Sequence, residues 1–117
     1  MSENKIDHNA AKINKLPLTL LDWRPLRRNS LLGFAKVRIG RALVLHDVSV
    51  HCSNGKRWAS PASKPQIDSN GQALRDDRQK IKYTPVVEWL DAAARDAFSI
   101  AVIDAVEAAH PGATDAS

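Results

Sequence analysis

His46-Asp47 is the pair in this chain whose residue types come nearest to acid–base chemistry, because an aspartate beside an imidazole can fix its tautomer and raise its basicity. No serine elbow and no second acid accompany the pair. Neighbouring side chains on a strand point to opposite faces, so these two diverge unless the backbone bulges. A structural role is therefore expected, and the chain is not read as an enzyme. His46, His51, Cys52 and His110 are the conceivable metal ligands. Structural zinc needs four converging donors, usually in close pairs, and these four are not so spaced. No metal, no cofactor and no small-molecule substrate are expected. Cys52 is the sole cysteine, which precludes an intrachain disulfide and suits a small core hydrophobe.

The chemistry that the residues favour is phosphate contact. The candidate set is Arg24, Arg27, Arg28, Lys36, Arg38, Arg41, Lys56, Arg57 and Lys64, because arginine supplies a planar fork of donors and lysine a compact charge. Phe34 joins them as a ring able to stack an unpaired base. Trp23 and Trp58 could do the same, but with aromatic residues at only 5% of the chain they are expected in the core or in an interface. Asp68, Asp76 and Asp77 lie among Arg75, Arg78 and Lys80, a mixed run that reads as a solvated loop. Its glycine content and order exclude a P-loop.

The charge is segregated along the chain. Of the 17 Lys and Arg residues, 16 lie at or before Lys82, against seven acids, for a balance of +9; from Tyr83 onward the balance is −5. A polyanion is drawn to the first part and repelled by the second. The 117 residues suit one domain, small enough that a homodimer is expected. No apolar run is long enough to span a bilayer, and Met1 to Ala11 lacks the apolar segment of a signal peptide. A cytoplasmic protein with no membrane partner is expected.

The elements that must position these residues read as follows. Residues 1–15 are polar and without periodicity, a flexible arm. Leu16 to Trp23 reads as an edge strand between Pro17 and Pro25, followed by a basic connection from Arg24 to Asn29. Gly33 to Ile39 alternates, with Ala35, Val37 and Ile39 on one face and Phe34, Lys36 and Arg38 on the other. Gly40-Arg41 predicts a tight turn. The strand from Ala42 to Cys52 shifts parity at His46-Asp47, which predicts a bulge. Asn54-Gly55 is a strong hairpin signal leading into Arg57-Trp58-Ala59.

Ser60 to Lys80 is a long polar excursion with a turn at Ser69-Asn70-Gly71, and a loop of that length is often functional. Ile81 to Glu88 has strand character, with Pro85 marking an edge. Asp91 predicts the N-cap of a helix running to Ala109. Phe98, Ala101, Val102, Ala105, Val106 and Ala109 form its apolar stripe, widened by Ile100 and Ile103, while Asp96, Asp104 and Glu107 form a solvent face. His110-Pro111-Gly112 ends the helix, and 111–117 reads as a disordered tail. No internal repeat is apparent. The fold class is α+β: an antiparallel meander of four or five strands packed with one C-terminal helix, within a single domain over 16–110.

Three segments resemble the SpoVG family (stage V sporulation protein G, or septation regulator). Phe34 to Ile39 followed by Leu43 to Val50 resembles that family's first hairpin, with its His-Asp before alternating aliphatics. Trp58-Ala59-Ser60-Pro61-Ala62-Ser63-Lys64 resembles its Ala-x-Pro-Ser-Lys/Arg segment with one residue more. Arg95 to Val102 resembles the Arg-x-x-Ile-x-x-Ala-Val at its helix start, and Asp22-x-Arg24 has a counterpart in its first strand. The resemblance spans Leu18 to Ala108. It implies a small α+β domain, a homodimer built through the sheets, and binding to DNA or RNA without catalysis. Members often carry basic residues around the C-terminal helix and tail. Here that helix is acidic and the tail has no Lys or Arg, so binding by that surface does not carry over. The arm before Leu16 is an addition.

The expected function is thus regulatory nucleic-acid binding, DNA or RNA, by a basic sheet face and its turns. The alternative is a protein-interaction or assembly module without a nucleic-acid partner.

Overall fold

The computed structural model describes residues 16–115. The expected arm over 1–15 lies outside the described residues. Four strands, β1 (Leu18–Arg28), β2 (Leu31–Ile39), β3 (Leu43–Ser53) and β4 (Lys56–Ser60), form one antiparallel sheet in the order β1-β2-β3-β4. Two short strands, β5 (Ser63–Pro65) and β6 (Tyr83–Pro85), pair separately, and α1 (Ala92–Ala109) follows. The class is α+β, with a four-stranded meander and one C-terminal helix. β6 joins β5 rather than the meander, so the strand character read at Ile81 to Glu88 serves a separate hairpin.

The turns obey local backbone chemistry. Asn54 and Gly55 both take positive φ, 53° and 78°, as a type I′ turn requires. Gly40 takes φ 55° at the first central position of the β2–β3 turn. The predicted bulge is present. Ala35 faces Val48 and Val37 faces Leu45, which leaves β3 one residue in excess, and Asp47 absorbs it at φ 55°.

The basic connection from Arg24 to Asn29 is the second half of β1, which turns only at Asn29-Ser30. Pro25 does not end the strand because β1 is an edge strand, where an absent N–H breaks no ladder.

The core is one face of the sheet sealed by α1. Leu32, Ala35 and Val37 of β2, Val48 and Val50 of β3 and Ala59 of β4 meet Phe98, Val102 and Val106. The alternation in β2 and the 3.6-residue stripe of α1 both point into this layer. Ile100, read as part of the stripe, is exposed instead, because it lies on the far side of the helix from Phe98 and Val102. Trp23 packs against the core, as expected. Asp91 caps α1, its Oδ1 accepting from the Ala94 N–H at 2.8 Å. The Ser99 hydroxyl holds the free edge of β4: it accepts from the Ala59 N–H at 3.0 Å and donates to the Ala59 carbonyl at 3.1 Å.

The residues after α1 are folded back through Asp115, in place of the disorder expected from Pro111. Thr114 is fully buried. The Glu107 carboxylate, read as solvent-facing, accepts from the Thr114 hydroxyl at 2.5 Å, the Thr114 N–H at 2.8 Å and the Gly112 N–H at 3.0 Å. These donors, the Thr114 hydroxyl foremost, hold its pKa down at about 2. A carboxyl whose folded pKa lies below its unfolded value stabilises the fold above the unfolded value. That contribution is lost as pH falls from the ordinary glutamate range towards 2. Glu107→Gln is accordingly expected to lower the melting temperature at neutral pH and to flatten the acid limb of the stability curve. Parallel melts from neutral to acid pH check this, and an acid limb identical to the wild type's would count against the anchor.

Candidate nucleic-acid interface

The sheet face away from α1 carries the side chains opposite to Ala35 and Val37. Phe34, Lys36 and Arg38 stand there in the predicted order. Register places Arg24 beside Phe34, Asp22 beside Lys36 and Thr19 beside Arg38. The Arg24 guanidinium lies 5.6 Å from the Phe34 ring centroid, within cation–π reach. Its Nη2 also donates to Asp47 Oδ1 at 2.7 Å. The bulge thus turns Asp47 towards β1, and arginine, not His46, takes the carboxylate. Asp22, Arg24, Lys36, His46 and Asp47 line one shallow depression of about 160 Å³, in which cations and carboxylates alternate. A pair this exposed is worth at most about 1 kcal/mol and leaves Arg24 able to exchange partners.

Ser49 and Ser60 continue the Phe34 row across the sheet. Next to it lies a pair whose juxtaposition depends on the β3–β4 register. His51 and Trp58 are cross-strand partners whose rings stack at 5.1 Å with a 7° interplanar angle. Ser30 Oγ lies 3.1 Å from His51 Nδ1, and Ser49 Oγ lies 3.0 Å from His51 Nε2. Burial lowers the His51 pKa, which favours the neutral ring for stacking. Trp58 is not in the core; it packs on a ring of this face. Among the described residues no carboxylate contacts His51, and the group is a stacked, partly apolar platform.

The remaining candidates separate. Arg41 stands in the β2–β3 turn and Arg28 at the end of β1, both exposed. Lys56 opens β4 after its turn, and Lys64 lies in β5, which pairs with β6 and not with the meander. Arg27 and Arg57 lie beside the tail that follows α1. Arg27 donates to the carbonyls of Asp115 at 3.0 Å and Ala113 at 3.2 Å, while Arg57 pairs with Asp115 at 3.5 Å. Both fasten the folded-back tail. Their charge was legible in the sequence, but the tail that takes it up was not. The geometry therefore brings Arg24, Phe34, Lys36 and Arg38 together and disperses the rest.

The conceivable metal ligands do not converge. His51 is stacked on the helix-free face, Cys52 packs against the core and His110 caps the end of α1. Among the described residues no three His, Cys, Asp or Glu side chains form a cluster suited to a metal ion, and no helix is long and apolar enough to cross a membrane. Comparison with protein-family models and with curated proteins finds no match for the chain.

Proposed function

We propose that this chain is a nucleic-acid-binding protein of regulatory type, acting as a homodimer without a cofactor, and that it takes DNA or RNA on the helix-free face of its four-stranded sheet. One observation carries the reading: Phe34, Lys36 and Arg38 share a face that α1 leaves open, with Arg24 over the Phe34 ring. A ring flanked by cations suits an unpaired strand, whose bases stack while its phosphates follow the charges. The charge segregation supports the same side, because the acidic C-terminal segment lies on the helix that covers the other face. The SpoVG-like segments agree with the reading.

The test is a gel-shift titration of single-stranded and duplex DNA and RNA against salt. Lys36→Ala combined with Arg38→Ala is expected to weaken binding without unfolding the protein. The log–log salt slope is expected to fall by about 0.7 per lost contact on single strands and about 0.9 on duplex DNA. Unchanged affinity in the double variant counts against the sheet face.

A protein-interaction module is the second reading. Leu90 is 101% exposed and Val86 and Ile100 are 62% and 53% exposed, in and just before the N-terminal half of α1. Absence of binding to every nucleic acid at low salt would favour it.

A further inference from the structure

The polar excursion between β5 and β6 is an ordered, internally repeated unit. The backbone closes a ring at three positions eight residues apart: Gln66 N–H donates to the Lys82 carbonyl at 2.8 Å, Lys82 N–H to Leu74 at 2.9 Å and Leu74 N–H to Gln66 at 2.8 Å. Two leaves hang from this ring, Ile67–Leu74 and Arg75–Lys82. In the first, Asp68 Oδ1 accepts from the N–H groups of Asn70 and Gln72 at 2.8 and 3.0 Å. In the second, Asp76 Oδ1 accepts from Arg78 and Lys80 at the same two distances. Gly71 and Gln79 occupy the equivalent positive-φ positions, at 81° and 67°. Ile67 bridges Ala73 as Arg75 bridges Ile81.

This repeat separates what the fold needs from what it does not. The aspartate, the positive φ and the backbone ladder are common to both leaves. The charges are not. The first leaf holds no cation and one carboxylate, whereas the second holds Arg75, Arg78, Lys80 and Lys82 against Asp76 and Asp77. Arg75 has a structural task, donating to the Gln79 carbonyl at 2.7 Å. The first leaf closes with Asn70, Gln72 and Leu74 where the second has Arg78, Lys80 and Lys82, so the turn does not require those three cations. All three are exposed, and among the described residues none pairs with a carboxylate. The Asp76 carboxylate accepts from two backbone N–H groups and, like Asp77, stays exposed, with Lys80 and Lys82 near enough to help hold its pKa down; the four cations of the leaf still outnumber its two carboxylates.

We infer that Arg78, Lys80 and Lys82 form a second phosphate-contact site, on a rigid leaf outside the meander, for the sugar-phosphate backbone of a nucleic acid. The inference rests on the nucleic-acid reading given above and adds to it the element that supplies sequence-independent charge. A leaf built on backbone hydrogen bonds fixes the spacing of the three Cα positions, so no backbone order has to be gained there on binding.

The experiment uses the full chain with short single-stranded and duplex DNA and RNA over a salt series. The triple variant Arg78→Ala/Lys80→Ala/Lys82→Ala is compared with the first-leaf control Asn70→Ala/Gln72→Ala. The triple variant is expected to bind about tenfold or more weakly at low salt, with a duplex slope lower by about 2 to 3. The control is expected to match the wild type. Arg78→Lys/Lys80→Arg/Lys82→Arg is expected to restore both affinity and slope, and Lys80→Glu alone serves if the triple variant does not fold. If the wild type binds and the triple variant retains its affinity and slope, the leaf is not a contact site while the sheet-face reading stands. If the wild type binds no nucleic acid, the parent reading fails and this one with it. If the triple variant instead loses self-association in sedimentation while its nucleic-acid affinity is unchanged, the leaf meets the acidic helix of a second copy, and the inference is overturned.

Discussion

Phe98→Ala is expected to cost about 3–5 kcal/mol and to lower the melting temperature by about 10 °C or more. Phe98 is fully buried and is the largest side chain that α1 sends into the sheet. Its ring lies 4.7 Å from that of Trp89, tilted by 39°, so truncation removes an aromatic contact together with the buried area. The cavity would open within the cluster that Val102 forms with Val48 and Val50 of β3. β3 is paired on both edges, to β2 and β4, and closes little of it. A chemical or thermal melt of the purified variant checks the figure. A shift too small to resolve would mean that α1 does not seal the sheet.

Gly33→Ala carries the second large effect. Gly33 is buried in β2, and a Cβ placed there would lie 2.6 Å from the Arg24 carbonyl oxygen and 2.7 Å from two carbons of the Trp23 ring. Backbone cannot retreat as a flexible side chain can, so β1 must move away from β2. The expected cost is about 1–3 kcal/mol, as for overpacking generally. The displacement would also carry Arg24 away from Phe34, so nucleic-acid affinity should fall along with stability. Trp23→Leu in the same background should recover part of the stability by removing the ring from the clash. A Gly33→Ala protein that melts with the wild type would show that the Trp23 ring does not rest on this glycine.

Much of the meander was legible because its signals are local. The alternation of β2 needs no partner to be read, and Asn54-Gly55 or Asp91 acts on the next few backbone groups alone. The parity break at His46-Asp47 likewise foretold the bulge. What stayed hidden depends on distant residues. Arg27 and Arg57 read as ligand contacts because nothing near them in sequence reveals the tail carbonyls and Asp115 that engage them. Glu107 read as solvent-facing for the same reason. Pro25 looked like a strand end because a proline N–H is missing whether or not a neighbouring strand would have used it. The repeat in the excursion was hidden by chemistry: Asp68 and Asp76 are eight residues apart, but the positive-φ position is glycine in one leaf and glutamine in the other. Of the candidate site, Phe34, Lys36 and Arg38 were readable from strand parity, whereas the His51–Trp58 stack depends on the β3–β4 register.

The two basic surfaces have different physical characters. The sheet face mixes cations with aromatic rings and with the carboxylates of Asp22 and Asp47, which suits contact with bases as well as phosphates. The second leaf presents its cations on a hydrogen-bonded backbone, beside the exposed side chains of Leu74 and Tyr83. The first can discriminate among strands, and the second can add affinity that falls with salt.

The most direct test of the central claim is a chemical-shift titration of the isotope-labelled protein with a short single-stranded oligonucleotide. The account predicts that amide shifts concentrate at Phe34, Lys36 and Arg38 and at the facing positions of β1 and β3, with Ala92 to Ala109 of the helix left unmoved. Shifts centred on that helix, or a spectrum unchanged by every DNA and RNA strand at low salt, would contradict it.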